Sequence, residues 1–173
     1  MGGPTMEEAT TLVTPQMEAS KGVWHSFETS FPITATDIRR WAIATYWGQM
    51  PPRLFWDEEY ARTTRWGGIV APEDFNPFAW QLPRELTEEE LRLQGAIPGQ
   101  ETKKGDNILN GGQVDRFGAR MRPGDVISSR SRLTHWEERE GRNGLTLYTY
   151  NETEWTNQRG EWVKSRVMTL IHY

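Results

Sequence analysis

Three histidines, no cysteine and a scatter of carboxylates bound the chemistry open to this chain. General acid–base catalysis needs two groups within hydrogen-bond reach of the same reacting atoms. The acids placed at turns are Asp57, Glu73 and Asp74, and these are the ones to test if the chain has chemistry of its own. Asp57, followed by Glu58 and Glu59, also has the pattern of a helix cap with acids in the first turn. His25, His135 and His172 fall in or near expected strands. No two of them have the spacing that sets ligands on one helix face, so no metal is expected. The absence of Cys excludes a thiolate nucleophile, a disulfide and a thiolate zinc site.

The elements that would position these residues divide into a helical first half and a strand-rich second half, the order of an α+β domain with an antiparallel sheet. Residues 24–33 alternate loosely and are expected as the first strand. Thr34 with Asp37 forms a capping box. Ile38, Trp41, Ala42, Thr45 and Tyr46 then recur on one face of a helix over 36–47 that ends at Gly48. A second helix begins at Asp57 and stops at Gly67 and Gly68. Pro72 sits at a plausible first helical position for a short element over 73–80, the stub of a central helix interrupted by Pro77. Residues 82–106 read as an excursion with a capping box at Thr87 and Glu90 and an end at Gly95. Strands are expected over 113–121, 126–138, 145–156 and 162–173. The turns between them are Arg122-Pro123-Gly124-Asp125, Glu140 to Gly144, and Asn157-Gln158-Arg159-Gly160. Residues 1–21 read as a polar N-terminal arm and 22–173 as one domain.

Several pieces carry a family resemblance by their order and spacing. They are the capped helix, Leu54-Phe55-Trp56-Asp57-Glu58-Glu59-Tyr60-Ala61-Arg62, the turn Gly67-Gly68-Ile69-Val70-Ala71-Pro72, Leu109-Asn110-Gly111-Gly112-Gln113, and Arg122-Pro123-Gly124-Asp125. Together they resemble the MaoC-like dehydratases and hydratases of the hot-dog fold, over nearly the whole chain after Phe31. The resemblance implies an antiparallel sheet wrapped around a central helix, here shortened. It also implies addition of water to, or its removal from, a 2-enoyl thioester. Active members keep Gly-Asp, then Asn-Pro, then a His after the first helix. Here the loop has Gln49 in place of the Asp, and Leu54, Phe55 or Trp56 in place of the His. A Gln amide does not exchange a proton at neutral pH, so the chain resembles the half of the family that lacks the dyad.

That resemblance implies a homologous hot-dog partner with an intact Asp and His, an acyl-CoA thioester as substrate, and no cofactor. The residues expected to line the substrate are Gln49, Phe55, Trp56, Val70, Pro72, Glu73, Asp74, Asn110 and Gln113. The backbone N–H groups near Glu73 and Asp74 stand where the family binds the thioester carbonyl. They are equally explained as an ordinary helix cap. Arg116 could line the acyl or pantetheine channel beside Gln113, or be strand chemistry alone. Arg39, Arg40, Arg62 and Arg65 could face coenzyme A phosphates or form a solvated helix face. A homodimer working alone with other acids, and a non-catalytic acyl-CoA binding module, are the alternatives.

Composition narrows the partners. With 20 basic against 24 acidic residues in 173, the net charge of −4 argues against nucleic acid. No apolar run approaches the roughly 20 residues that span a bilayer, and the start lacks a basic and apolar leader. With no Cys, a cytoplasmic location is expected. Nine Trp supply large contact area for core, interface or a bulky acyl group.

Overall fold

A computed structural model describes residues 11–80, 107–141 and 144–173. The excursion expected over 82–106 lies outside the described residues. Within the arm, Pro15–Ser20 forms a short helix, α1, whose cap Thr14 accepts the Met17 N–H at 3.2 Å. Strand β1, His25–Thr29, is shorter than expected. After it the backbone is diverted into single bonds: Ser30 N–H to the Ile127 carbonyl and Ile33 N–H to that of Asp125. Pro32 has no N–H to continue a ladder.

Helix α2, Ala35–Thr45, starts at the expected capping box: Asp37 N–H donates to Thr34 Oγ1 at 3.1 Å and Thr34 N–H to Asp37 Oδ2 at 2.9 Å. It buries Ile38 and Ala42, and Gly48 then turns the chain with φ +75°. A 3-10 turn, Arg53–Phe55, leads to helix α3, Glu58–Thr63, capped by Asp57.

Residues 73–80 depart from expectation. They form turns, not a helix: Phe75 N–H donates to the Pro72 carbonyl at 3.1 Å and Ala79 N–H to that of Asn76 at 3.2 Å. Pro77 removes the donor that would join these turns into a helix. Phe75 and Phe78 take over the packing role, Phe75 edge-on to Trp41 at 5.7 Å and Phe78 against Trp155 at 5.4 Å.

Four longer strands follow: β2 Ile108–Phe117, β3 Ile127–Gly141, β4 Gly144–Asn157 and β5 Trp162–His172. All pair antiparallel in one five-stranded sheet of order β1-β3-β4-β5-β2. Strand β2 begins earlier than expected and bulges between Asn110 and Gln113. Gly112 has φ +106° there, and its N–H donates to Asn110 Oδ1 at 2.8 Å. The expected turn at Arg122–Asp125 is present, with the Asp125 N–H on the Arg122 carbonyl and Gly124 at φ +88°. The core joins α2 to the sheet through Ile33, Ile38, Ala42, Phe75, Met121, Ile127 and Val163.

Candidate functional site

The loop after α2 carries surface but no acid–base pair. Gln49 is exposed, with its N–H on the Tyr46 carbonyl at 2.8 Å. Its neighbours Trp47 and Met50 are 88% and 79% exposed, high for such large apolar side chains. Of the three residues aligned with the family His, Phe55 is buried in the core against Tyr46, Leu54 packs on that core, and Trp56 alone keeps substantial surface. Trp56 is held by its indole N–H on the Pro51 carbonyl at 2.9 Å. Phe55 and Val70 were expected to line the substrate. Both side chains are buried in this chain, Val70 fully.

Two of the three candidate acids, Asp57 and Glu73, are engaged. Asp57 accepts the Tyr60 N–H at 3.0 Å and a guanidinium fork from Arg53 at 2.9 and 2.7 Å. The backbone bond first, then the Arg53 bond, hold its carboxyl below the usual range, so it is a poor proton donor. Glu73 pairs with Arg120 at 2.7 Å. Asp74 is exposed. Asn110 is committed to the β2 bulge, and the Gln113 amide donates to Asp115 at 3.3 Å.

The structure brings Pro72 and Glu73 to a cleft shared with Phe117, Arg120 and Lys164. Gln49 and Trp56 do not line it. Its cationic residues, Arg120 and Lys164, were not singled out in the sequence. Register sets Phe117 opposite Lys164 and Lys164 opposite Trp155, so all three share a sheet face. The Lys164 side chain is 4% exposed, its ammonium 5.1 Å from the Phe117 ring and 5.2 Å from that of Trp155. Burial pushes its pKa down, against the pull of Asp115 at 3.4 Å. Asp115 takes both nitrogens of Arg166 at 2.8 and 2.9 Å, and that bond chiefly holds its carboxyl below the usual range. The signal was available in Lys164 and Arg166, two residues apart within a strand and therefore on one face.

The histidines stand apart from this cleft. His135 stacks on Tyr150 at 4.0 Å, His172 Nε2 is 3.1 Å from Thr149 Oγ1, and His25 Nδ1 is 2.7 Å from Ser26 Oγ. Among the described residues no group of three or more His, Asp or Glu could hold a metal. Nor, among them, is any helix long and apolar enough to cross a membrane.

A five-stranded antiparallel sheet with few helices is the shape of the hot-dog fold. The sequence matches the family model of the FAS1-like dehydratase domain region over residues 19–166, and the chain belongs to that family. No curated protein matches it. Among solved structures it is similar to a chain of the ChsH1–ChsH2 complex from Mycobacterium tuberculosis, with TM-score 0.67 and 14% identity over 91% of this chain and 92% of that one. It is similar also to a chain of the HadBC (3R)-hydroxyacyl-ACP dehydratase complex from the same organism, with TM-score 0.57 and 19% identity over 88% and 96%. The R-hydratase PhaJ1 from Pseudomonas aeruginosa gives TM-score 0.52 and 17% identity over 88% and 81%. At these identities the structures speak for the fold, which is the hot-dog fold.

Proposed function

We propose that this chain is the half-site subunit of a heteromeric (R)-type 2-enoyl-CoA hydratase or 3-hydroxyacyl thioester dehydratase. It shapes the acyl pocket for a homologous hot-dog partner that carries the Asp and His. The carrying observation is the loop after α2: Gln49 stands at the Asp position, and the residues at the His position are a core Phe55 and its apolar neighbours. Asp57 and Glu73, two of the three candidate acids, are tied to Arg53 and Arg120. Both would have to give up an ion pair to move a proton, which speaks against a self-sufficient enzyme. That two of the similar structures are two-component complexes, ChsH1–ChsH2 and HadBC, supports a heteromer.

The sheet supports the same reading. On the β3 side the end strand is β1, and the arm runs along β3 past the end of β1: Gly22 N–H donates to the Leu133 carbonyl, and Thr11 bonds Glu138. At the other side β2 is the last strand, and it exposes Ile108, Leu109, Val114 and Phe117, Val114 to 61%. An apolar edge strand of this length is left open in few stable monomers. Pairing there would continue the sheet into the partner.

In the complex, the partner's Asp and His act on one water. Hydration adds its oxygen to C3 of the enoyl thioester and a proton to C2, and the thioester oxygen carries the developing charge. Backbone N–H groups at Glu73 and Asp74 would meet that oxygen. Gln49, Trp56, Pro72, Asn110 and Gln113 would contribute polar and apolar walls. The thioester itself activates the carbon, so no cofactor or metal is required. The cytoplasm, where acyl-CoA is made and used, is the expected location. The test is loss of the conjugated enoyl thioester absorbance with the chain alone and with a hot-dog protein that carries an intact Asp and His.

A further inference from the structure

The turn assigned above to the thioester oxygen has no helix to hold it. Residues 73–80 are turns, so the backbone at Pro72–Asp74 must be fixed by something else. One guanidinium does this. Arg120 Nη1 lies 2.7 Å from Glu73 Oε1, and Nη2 donates to the Ala71 carbonyl at 2.9 Å, so the fork grips residues on both sides of Pro72. The Arg120 side chain is only 16% exposed and lies over the Trp66 ring at 5.6 Å. Its neighbours tighten the same segment: Ala71 N–H donates to the Met121 carbonyl at 2.8 Å, and Arg122 Nη1 to the Trp66 carbonyl at 2.7 Å.

This is an expensive way to hold a turn. Among the described residues the buried Arg120 Nε has no hydrogen-bond partner. An apolar side chain of similar volume often packs such a place at no loss of stability. What a guanidinium adds is orientation, two parallel donors at fixed spacing, which a Lys ammonium does not reproduce.

We propose that Arg120 is a positioning residue of the hydration site. It sets the Pro72–Asp74 turn so that the backbone meets the thioester oxygen, in place of the helix start that other hot-dog dehydratases would use. The inference rests on the half-site reading above. Glu73, a candidate acid by sequence, becomes the other half of the clamp.

The test uses the assembly of this chain with a hot-dog partner that carries the Asp and His, and a trans-2-enoyl-CoA as probe. Arg120→Lys keeps the charge and loses the fork. Its kcat should fall about 10- to 100-fold, the range for misplacing a reacting group by about 1 Å. KM, melting temperature and assembly should stay near wild type. Glu73→Ala should fall likewise, and Glu73→Gln, which keeps an acceptor for Nη1, should regain part of the loss. An unchanged kcat in Arg120→Lys, or a loss that follows melting temperature or assembly, overturns the proposal alone. No turnover by the wild-type assembly overturns the half-site reading and this proposal with it.

Discussion

Asp115 shows how much one side chain can carry when it sits between two cations. It holds Arg166 by two bonds and faces the buried Lys164 ammonium at 3.4 Å. Through them it ties β2 to β5. Asp115→Asn should destabilise the fold by about 2 kcal/mol, the usual worth of bonds to a charged group, read from denaturant unfolding. The pH dependence has a defined sign. The folded-state pKa of Asp115 is depressed, so its contribution is complete above the unfolded value of about 3.9. It is lost as the pH falls from there through the lower folded value. The melting temperature of the wild type should therefore drop more steeply below about pH 4 than that of Asp115→Asn. Equal slopes would mean that the pair contributes nothing. Gln49 was legible in the sequence, where the family resemblance implies that it replaces an acid. The inward packing of Phe55 and Val70 was not, because an apolar residue in a loop reads alike as pocket wall or core until its neighbours are known.

At the scale of elements, local signals were legible and long-range ones were not. The capping box of α2, the Asp57 cap of α3 and the turns at Gly124 and Gly160 follow from short-range hydrogen bonding, which the sequence states outright. Thr34→Ala should cost about 1 kcal/mol, seen as a lower melting temperature with the fold retained. The limits of β1 and β2 depend instead on partners far along the chain: Ile127 and Asp125 for one, β5 for the other. So does the loss of a helix over 73–80, where Pro77 was noticed but its effect depends on what the turns pack against. Gly118 is the element-scale counterpart. A Cβ there would strike the Trp162 ring and lie 2.5 Å from the Trp162 carbonyl oxygen. Gly118→Ala should destabilise by about 1–3 kcal/mol, as overpacking does, whereas a variant as stable as wild type would show that this junction can yield.

The sheet ends in an edge strand on each side, β1 and β2. The arm and β1 lie along β3, while β2 presents Ile108, Leu109, Val114 and Phe117. Val114→Lys should therefore weaken assembly with the partner and leave the fold of the isolated chain intact, a separation that size-exclusion chromatography and circular dichroism together would resolve. Fold and family were legible because they rest on the order of many weak pieces. The catalytic arrangement was not legible in one chain: the resemblance implies a missing Asp and His, and the half-site reading proposes that a second chain supplies them. The direct measurement is enoyl-thioester hydration by this chain alone, by a hot-dog protein with an intact Asp and His alone, and by the two mixed. The half-site account predicts turnover in the mixture and none from this chain. Turnover by this chain alone would contradict it and return attention to Asp57, Glu73 and Asp74.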